Sequence, residues 1–223
     1  MPAARFYKLP QERQDAILDA AAGEFAAKGY EGASYNQIIE QSGVSKGSMY
    51  YYFEGKQDLY GAVLMRLGQT FIAHIGIFKL DQDPSAETFW RQAEEMSIRT
   101  IEYYADYPAA AGLLRSLLVQ PPSAETKGTV DTIRKAWEEW WAMVLRVGQG
   151  CGAIRTDLPN SLMIRLLVAV CDAVDAWCIE RIDKLSLEDW REISRMLADS
   201  LRKMGDVSAE DEARRHLWRR FDT

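Results

Sequence analysis

Six residues in one short run carry side chains suited to touching another molecule. Lys46, Gly47, Ser48, Tyr50, Tyr51 and Tyr52 bring together a cation, two small groups and three phenols. That set suits nucleic acid. Lysine and tyrosine reach phosphates or base edges, and glycine and serine let a helix approach a groove closely. The flanking residues supply the frame. Ser34 is placed to N-cap a helix beginning at Tyr35. Gly43 ends that helix in the left-handed conformation that glycine takes without strain. Ser45 caps a second helix reaching Phe53, on which Met49 and Phe53 stand four apart and face inward. Helix, glycine turn, helix is the outline of a motif that enters a major groove. The same outline also fits an αα-corner with its tyrosines in a core. The start of the second helix, and of the next one at Lys56, offers free amide groups to a phosphate.

The rest of the chain must position these residues, and its period is helical throughout. Residues 1–9 form an arm in which Arg5 and Lys8 bracket Phe6 and Tyr7; it either reaches phosphates or a minor groove, or frays. Pro10 suits the first position of helix 1, whose buried stripe is Ile17, Leu18, Ala21, Ala22 and Phe25, with Gly29 as its end. Helix 4 is expected over 56–78, with Leu59, Val63 and Leu67 at four-residue spacing, and a break with Asp81, Asp83 and Pro84 after it. Helices follow over 87–107, 109–119, 123–148, 160–182 and 187–204, and a short tail helix over 206–221. No strand alternation interrupts them, so the fold class is all-α.

Composition excludes several functions. Among 223 residues, 48% are hydrophobic, enough for a sizeable core. No run approaches the roughly 20 apolar residues of a membrane span, and the first nine residues lack a signal-peptide core, so a cytoplasmic protein with no membrane partner is expected. The net charge of −6 argues against a broad basic surface. Any DNA contact must come from a few placed cations, for which Lys46, Lys56, Arg5 and Lys8 are the candidates. Cys171 and Cys178, seven apart, read as buried thiols, and no metal site is expected. No catalytic carboxylate pair, histidine triad or phosphate loop is present, so no enzyme and no cofactor are expected.

From Ile17-Leu18-Asp19-Ala20-Ala21, Phe25 and Gly29-Tyr30, through Asn36-Gln37-Ile38-Ile39 and Gly43 to Phe53, and on to Lys56-Gln57-Asp58-Leu59, the chain resembles the DNA-binding domain of TetR/AcrR-family regulators. The resemblance runs over residues 10–65. It departs at Gly55, where a serine or threonine cap is common, and at Ile39 and Ser42, where small alanines are usual. The glycine-rich segment 148–159 is also similar to the family's connector into its penultimate helix pair.

The resemblance implies a three-helix helix-turn-helix DNA-binding domain over 1–57 and a helical effector-binding and dimerisation domain over 58–223. Ser34, Tyr35, Ser45, Lys46, Gly47, Ser48, Tyr50, Tyr51, Tyr52 and Lys56 are the expected DNA-binding residues. Aromatics at helical spacing in the second domain are more often core than ligand box; the resemblance implies that some of Trp90, Tyr103, Tyr104, Trp137 and Trp141 line an effector pocket. It further implies a homodimer, in which Ala169, Ala173 and Ala176 allow close helix approach, acting as a ligand-responsive repressor on a palindromic double-stranded operator. Asp172 and Asp175 face solvent, a partner chain through Arg165 or Arg181, or a cationic ligand. The rival function is a DNA-binding adaptor controlled by a protein partner with no small-molecule effector; a packed second domain favours it, a large apolar pocket the sensor.

Overall fold

The computed structural model describes residues 2–77, 85–119, 122–182 and 184–205. The expected break after helix 4 and the tail helix over 206–221 lie outside the described residues. Among those described, every regular element is helical: α1 Gln11–Gly32, α2 Tyr35–Ser42, α3 Lys46–Tyr52, α4 Lys56–Ile75, α5 Ala86–Asp106, α6 Pro108–Val119, α7 Lys127–Gly150, α8 Asn160–Ile179 and α9 Leu187–Gly205, after a 3-10 turn at Phe6–Lys8. The chain divides into two compact units, one of residues 1–73 with 104–133, the other of residues 74–103 with those from 134 onward.

The first unit closes around the apolar stripe of α1. Ile17, Leu18, Ala21 and Phe25 meet Ile38 of α2, Met49 of α3, Phe53 just after it, Leu59 and Val63 of α4, and Leu113 of α6 in one buried cluster. Each large side chain fully buried there contributes about 1.5–3 kcal/mol. Ile39 and Ser42, the two departures from small alanines, are both buried, and the Ser42 hydroxyl donates to the Ile39 carbonyl at 2.9 Å. α6 crosses α1 at Gly112, where an added Cβ would stand 2.9 Å from that of Ala26.

Several helix ends differ from expectation for local reasons. The regular run of α1 breaks at Gly29 (φ 67°, ψ 176°) as expected, but one more turn carries it to Gly32. α4 stops at Ile75 rather than 78, because Gly76 turns left-handed at φ 84° and Arg99 Nη1 donates to the Ile75 carbonyl at 3.0 Å. α7 begins four residues late. Ser123 first forms its own turn, its carbonyl accepting from the Thr126 amide at 3.2 Å and the Lys127 amide at 2.9 Å.

In the second unit, Ile101 of α5, Cys178 of α8 and Trp190 of α9 form a buried cluster with Val174 and Ile193 around it. Arg195 pairs with Glu94 at 3.1 Å, and Ser97 donates to Ser194 at 3.2 Å, joining α5 to α9. The glycine-rich connector works through close approach. A Cβ on Gly148 would lie 2.6 Å from Ile154 Cδ1 and 2.9 Å from Phe89 Cζ, so the bare helix end is what admits both side chains.

Candidate nucleic-acid interface

Both caps of the helix-turn-helix form as expected. Ser34 Oγ accepts from the Gln37 amide at 3.3 Å, Ser45 Oγ accepts from the Ser48 amide at 3.1 Å, and Gly43 is left-handed at φ 67°. A substituted N-cap of this kind typically costs about 1 kcal/mol. The buried Glu24 adds a tie the sequence did not mark. Its Oε1 accepts from the Ser34 amide and from Lys28 Nζ, both at 2.9 Å, so a carboxylate on α1 pins the first residue of the α2 cap. The Lys28 hydrogen bond, and then that of Ser34, hold Glu24 below its ordinary carboxylate range.

The exposed face of α3 is narrower than the set of expected residues. Lys46, Gly47, Tyr50 and Tyr51 are exposed, the two tyrosines at 50% and 54%. Ser48 is half-buried, its hydroxyl 2.8 Å from that of Ser45. Tyr35 and Tyr52 pack against the core of the first unit with part of their rings. Tyr35 stands edge-on to Tyr50 with centroids 5.3 Å apart. Its hydroxyl is buried without a hydrogen-bond partner among the described residues, and burial, with smaller contributions from Tyr50 and Asp58, pushes it up to about 12. Met49 and Phe53 point inward, both nearly fully buried.

Lys56 is placed otherwise than its expected role requires. Its ammonium donates to the carbonyls of Tyr30 at 2.7 Å, Ala33 at 3.2 Å and Glu31 at 3.3 Å. Three protons meet three acceptors, so the charge is spent on the end of α1. The arm is likewise engaged. Arg5 Nε donates to the Tyr51 carbonyl, the Ala3 amide donates to the Tyr52 carbonyl at 3.0 Å, and Phe6 is buried against Phe53 at 4.9 Å between centroids. No local spacing marks these long-range contacts, so the sequence places Lys56 on a phosphate and leaves the Arg5 arm open between a DNA contact and a frayed end.

The aromatics expected in a pocket fall into separate groups. Tyr104, in the first unit, stacks on Phe71 at 5.8 Å; Tyr103, in the second, lies against His74 at 5.6 Å. Trp90 is buried edge-on to Phe89. Trp137 stacks on Trp140 at 5.0 Å, and Trp140 meets Trp141 edge-on at 4.9 Å. The indole N–H groups of Trp140 and Trp141 are buried without an acceptor among the described residues. None of the five expected residues lines the groove of about 600 Å³ in the first unit, which lies among Phe6, Tyr7, Leu18, Ala62, Met65 and Ile133. On α8, Ala169 and Ala173 are exposed and Ala176 is half-buried, beside Trp177 at 45% exposure; on α9, Met196 is 62% exposed. Burial, then the neighbouring Asp172 charge, pushes Asp175 up to about 7. The cation that acts on Asp172 is Arg134 of α7. Burial, with Asp175 beside them, also pushes the Cys171 and Cys178 thiols up, so both remain protonated and poorly reactive. Among the described residues no group of three or more His, Cys, Asp or Glu side chains could hold a metal, and no helix is long and apolar enough to cross a membrane.

A capped helix-turn-helix with an exposed basic and aromatic helix, carried on an all-α chain, defines a helix-turn-helix protein of the DNA-binding type. Residues 17–63 match the family described as "Bacterial regulatory proteins, tetR family". Over that stretch, which is the helix-turn-helix with its flanking helices, the chain is similar to that family. It is similar to the HTH-type transcriptional regulator RutR of Escherichia coli, 36% identical over 126 residues, which are 53% of this chain and 57% of that protein. The chain thus matches little more than half the length of these curated relatives. It is also similar to the HTH-type transcriptional activator FasR of Mycolicibacterium smegmatis, 42% identical over 60 residues, 26% of this chain and 27% of that one. Among solved structures, FadR of Bacillus subtilis in complex with stearoyl-CoA superposes with a TM-score of 0.68 at 20% identity, covering 85% of this chain and 97% of that one. At that identity the likeness is one of fold.

Proposed function

We propose that the protein is a DNA-binding transcriptional regulator that acts as a homodimer in the cytoplasm and responds to a small-molecule effector. The observation that carries this is the doubly capped α2–α3 pair, which leaves Lys46, Gly47, Tyr50 and Tyr51 exposed on one short helix. Residues 1–57 supply DNA recognition, with Ser48 and the α3 amide groups beside the exposed four. A two-fold dimer places two such helices about 34–36 Å apart on a palindromic operator. The apolar residues left uncovered on α8 and α9, with small Ala169 and Ala173 among them, support the dimer.

Effector binding belongs to 58–223. The buried indole N–H groups of Trp140 and Trp141, with no acceptor among the described residues, lie beside an aromatic surface shared with Trp137. An effector with an apolar or aromatic body and an oxygen acceptor fits them, and the acyl-CoA bound by the FadR neighbour has that general chemistry. Repression is the default sense, with release when the effector favours the non-binding state. The FasR relative is called an activator, so the sign of regulation is part of the test. The experiment is selection of duplexes from a randomised pool by the full chain, followed by titration of the recovered operator with acyl-CoAs and other apolar effectors. Recovery of no preferred sequence sinks DNA regulation. A preferred sequence indifferent to every effector points to the adaptor instead.

A further inference from the structure

We propose that Arg5 is a positioning residue that latches the C-terminal end of α3 and orients Tyr51, acting on operator specificity and not as a phosphate contact. This rests on the DNA-binding function proposed above and goes beyond it by assigning the arm a task. α3 is only 7 residues long, too short to hold its own shape, and its last carbonyls have no partner within the helix. The arm supplies those partners. Arg5 Nε donates to the Tyr51 carbonyl and the Ala3 amide to that of Tyr52 at 3.0 Å. The Arg5 guanidinium also lies 3.9 Å from the centre of the Tyr51 ring. A cation at this end of a helix is further favoured by the helix dipole.

The latch is itself anchored. Phe6, next in the chain, is 1% exposed and contacts the rings of Tyr52 and Phe53 at 6.3 and 4.9 Å. Its amide donates to the Ala3 carbonyl at 2.8 Å, closing the arm into a turn. One guanidinium therefore grips both the backbone and the ring of the same tyrosine, from a segment nailed into the core. An exposed tyrosine left alone changes rotamer freely, and ordering it on DNA costs affinity. Stacking under Arg5 orders the ring beforehand, while Tyr51 remains 54% exposed and able to meet a base.

The test uses the full chain with Arg5→Ala, Arg5→Lys, Tyr51→Ala and the Arg5→Ala/Tyr51→Ala double variant. Each is titrated over a salt series with the duplex selected by the wild type and with a random duplex of equal length. The latch predicts that Arg5→Ala weakens the selected duplex about three- to tenfold, leaves the random duplex and the salt slope unchanged, and adds nothing on the Tyr51→Ala background. Arg5→Lys should behave like Arg5→Ala, since an ammonium keeps the charge but not the planar stack. A salt slope reduced by about 0.9 per lost contact, with both duplexes weakened together and Arg5→Lys restoring binding, makes Arg5 a phosphate ligand and overturns the proposal. So does unchanged binding throughout. A DNA-free measurement separates this from failure of the function itself. Amide exchange at Tyr51, Tyr52 and Phe53 should quicken several-fold in Arg5→Ala at unchanged Tm, and exchange that stays the same overturns the latch even if no operator exists.

Discussion

Lys56 donates to the carbonyl of Tyr30 at 2.7 Å while its ammonium stands 4.6 Å above the centre of the same residue's ring. The Tyr30 hydroxyl in turn donates to Glu125 at 2.7 Å, and Gln57 Nε2 donates to the Glu125 carbonyl at 2.5 Å. The end of α1, the start of α4 and the turn before α7 therefore share one polar node. Burial, then the Glu125 hydrogen bond, pushes the Tyr30 hydroxyl well above its ordinary range, so it stays a donor at any physiological pH. Lys56→Met keeps the side-chain volume but strands three carbonyls. It should destabilise the protein by about 1–3 kcal/mol in urea unfolding. The salt slope of DNA binding should remain as in the wild type; a slope that drops would return Lys56 to a phosphate.

Lys46→Ala and Phe53→Ala should fail in opposite ways. Lys46 is exposed, so its loss should leave the melting curve within about 0.5 kcal/mol of wild type yet weaken DNA binding. Phe53 is 1% exposed between α3 and α4, and truncating it should cost about 3–5 kcal/mol. Melting curves beside DNA titrations at one salt concentration decide it. An unfolded Lys46→Ala with a sound Phe53→Ala would mean that α3 is rotated.

Gly112 and Gly23 offer a matched pair of glycine substitutions. Both lie within helices, where alanine is ordinarily favoured by up to about 1 kcal/mol. At Gly23 an added Cβ meets nothing within 4 Å, whereas at Gly112 it meets Ala26 Cβ at 2.9 Å and the Ala26 carbonyl at 3.4 Å. Gly23→Ala should raise Tm. Gly112→Ala should lower it through overpacking of about 1–3 kcal/mol, since backbone cannot rotate aside. Differential scanning calorimetry reads both, and a stabilised Gly112→Ala would refute the close crossing.

Asp175 gives stability a pH dependence with a definite sign. Burial first, and then Asp172, raises its folded value to about 7, while in the unfolded chain it titrates near 3.9. Between those values the folded protein holds a proton that the unfolded chain has released. The contribution is thus complete below about pH 4, falls as pH rises toward 7, and is absent above. Asp175→Asn should flatten the Tm–pH profile in that window and raise Tm at pH 8. A wild-type profile that climbs from pH 4 to 7 and is unaffected by Asp175→Asn would show the carboxyl to be solvated.

Legibility tracked the distance over which each contact acts. The Ser34 and Ser45 caps and the Gly43 turn depend on neighbours within four residues, and their spacing states them directly. The inward pair Met49 and Phe53 follows from helix period alone. Arg5 and Lys56 reach carbonyls 46 and 26 residues away, and nothing near them in the chain says where a long flexible cation will settle. Glu24 is similar: among many acids, only the fold shows that it receives the Ser34 amide. The expected pocket residues met a different obstacle. Tyr103 and Tyr104 are adjacent in sequence, but successive helix positions turn by about 100°, and one ring finds His74 while the other finds Phe71.

The first compact unit is discontinuous, drawing on 1–73 and again on 104–133. During synthesis, α1 to α4 leave the ribosome with the flank of α1 at Ala26 still bare, because its cover, α6 with Gly112 and Leu113, has not been made. At about 5–20 residues per second the nascent chain waits several seconds for that cover, with apolar surface open to chaperones. A pause in translation after Ala73 would lengthen the exposure, so codon choice in that interval bears on yield even where it leaves the finished protein unchanged.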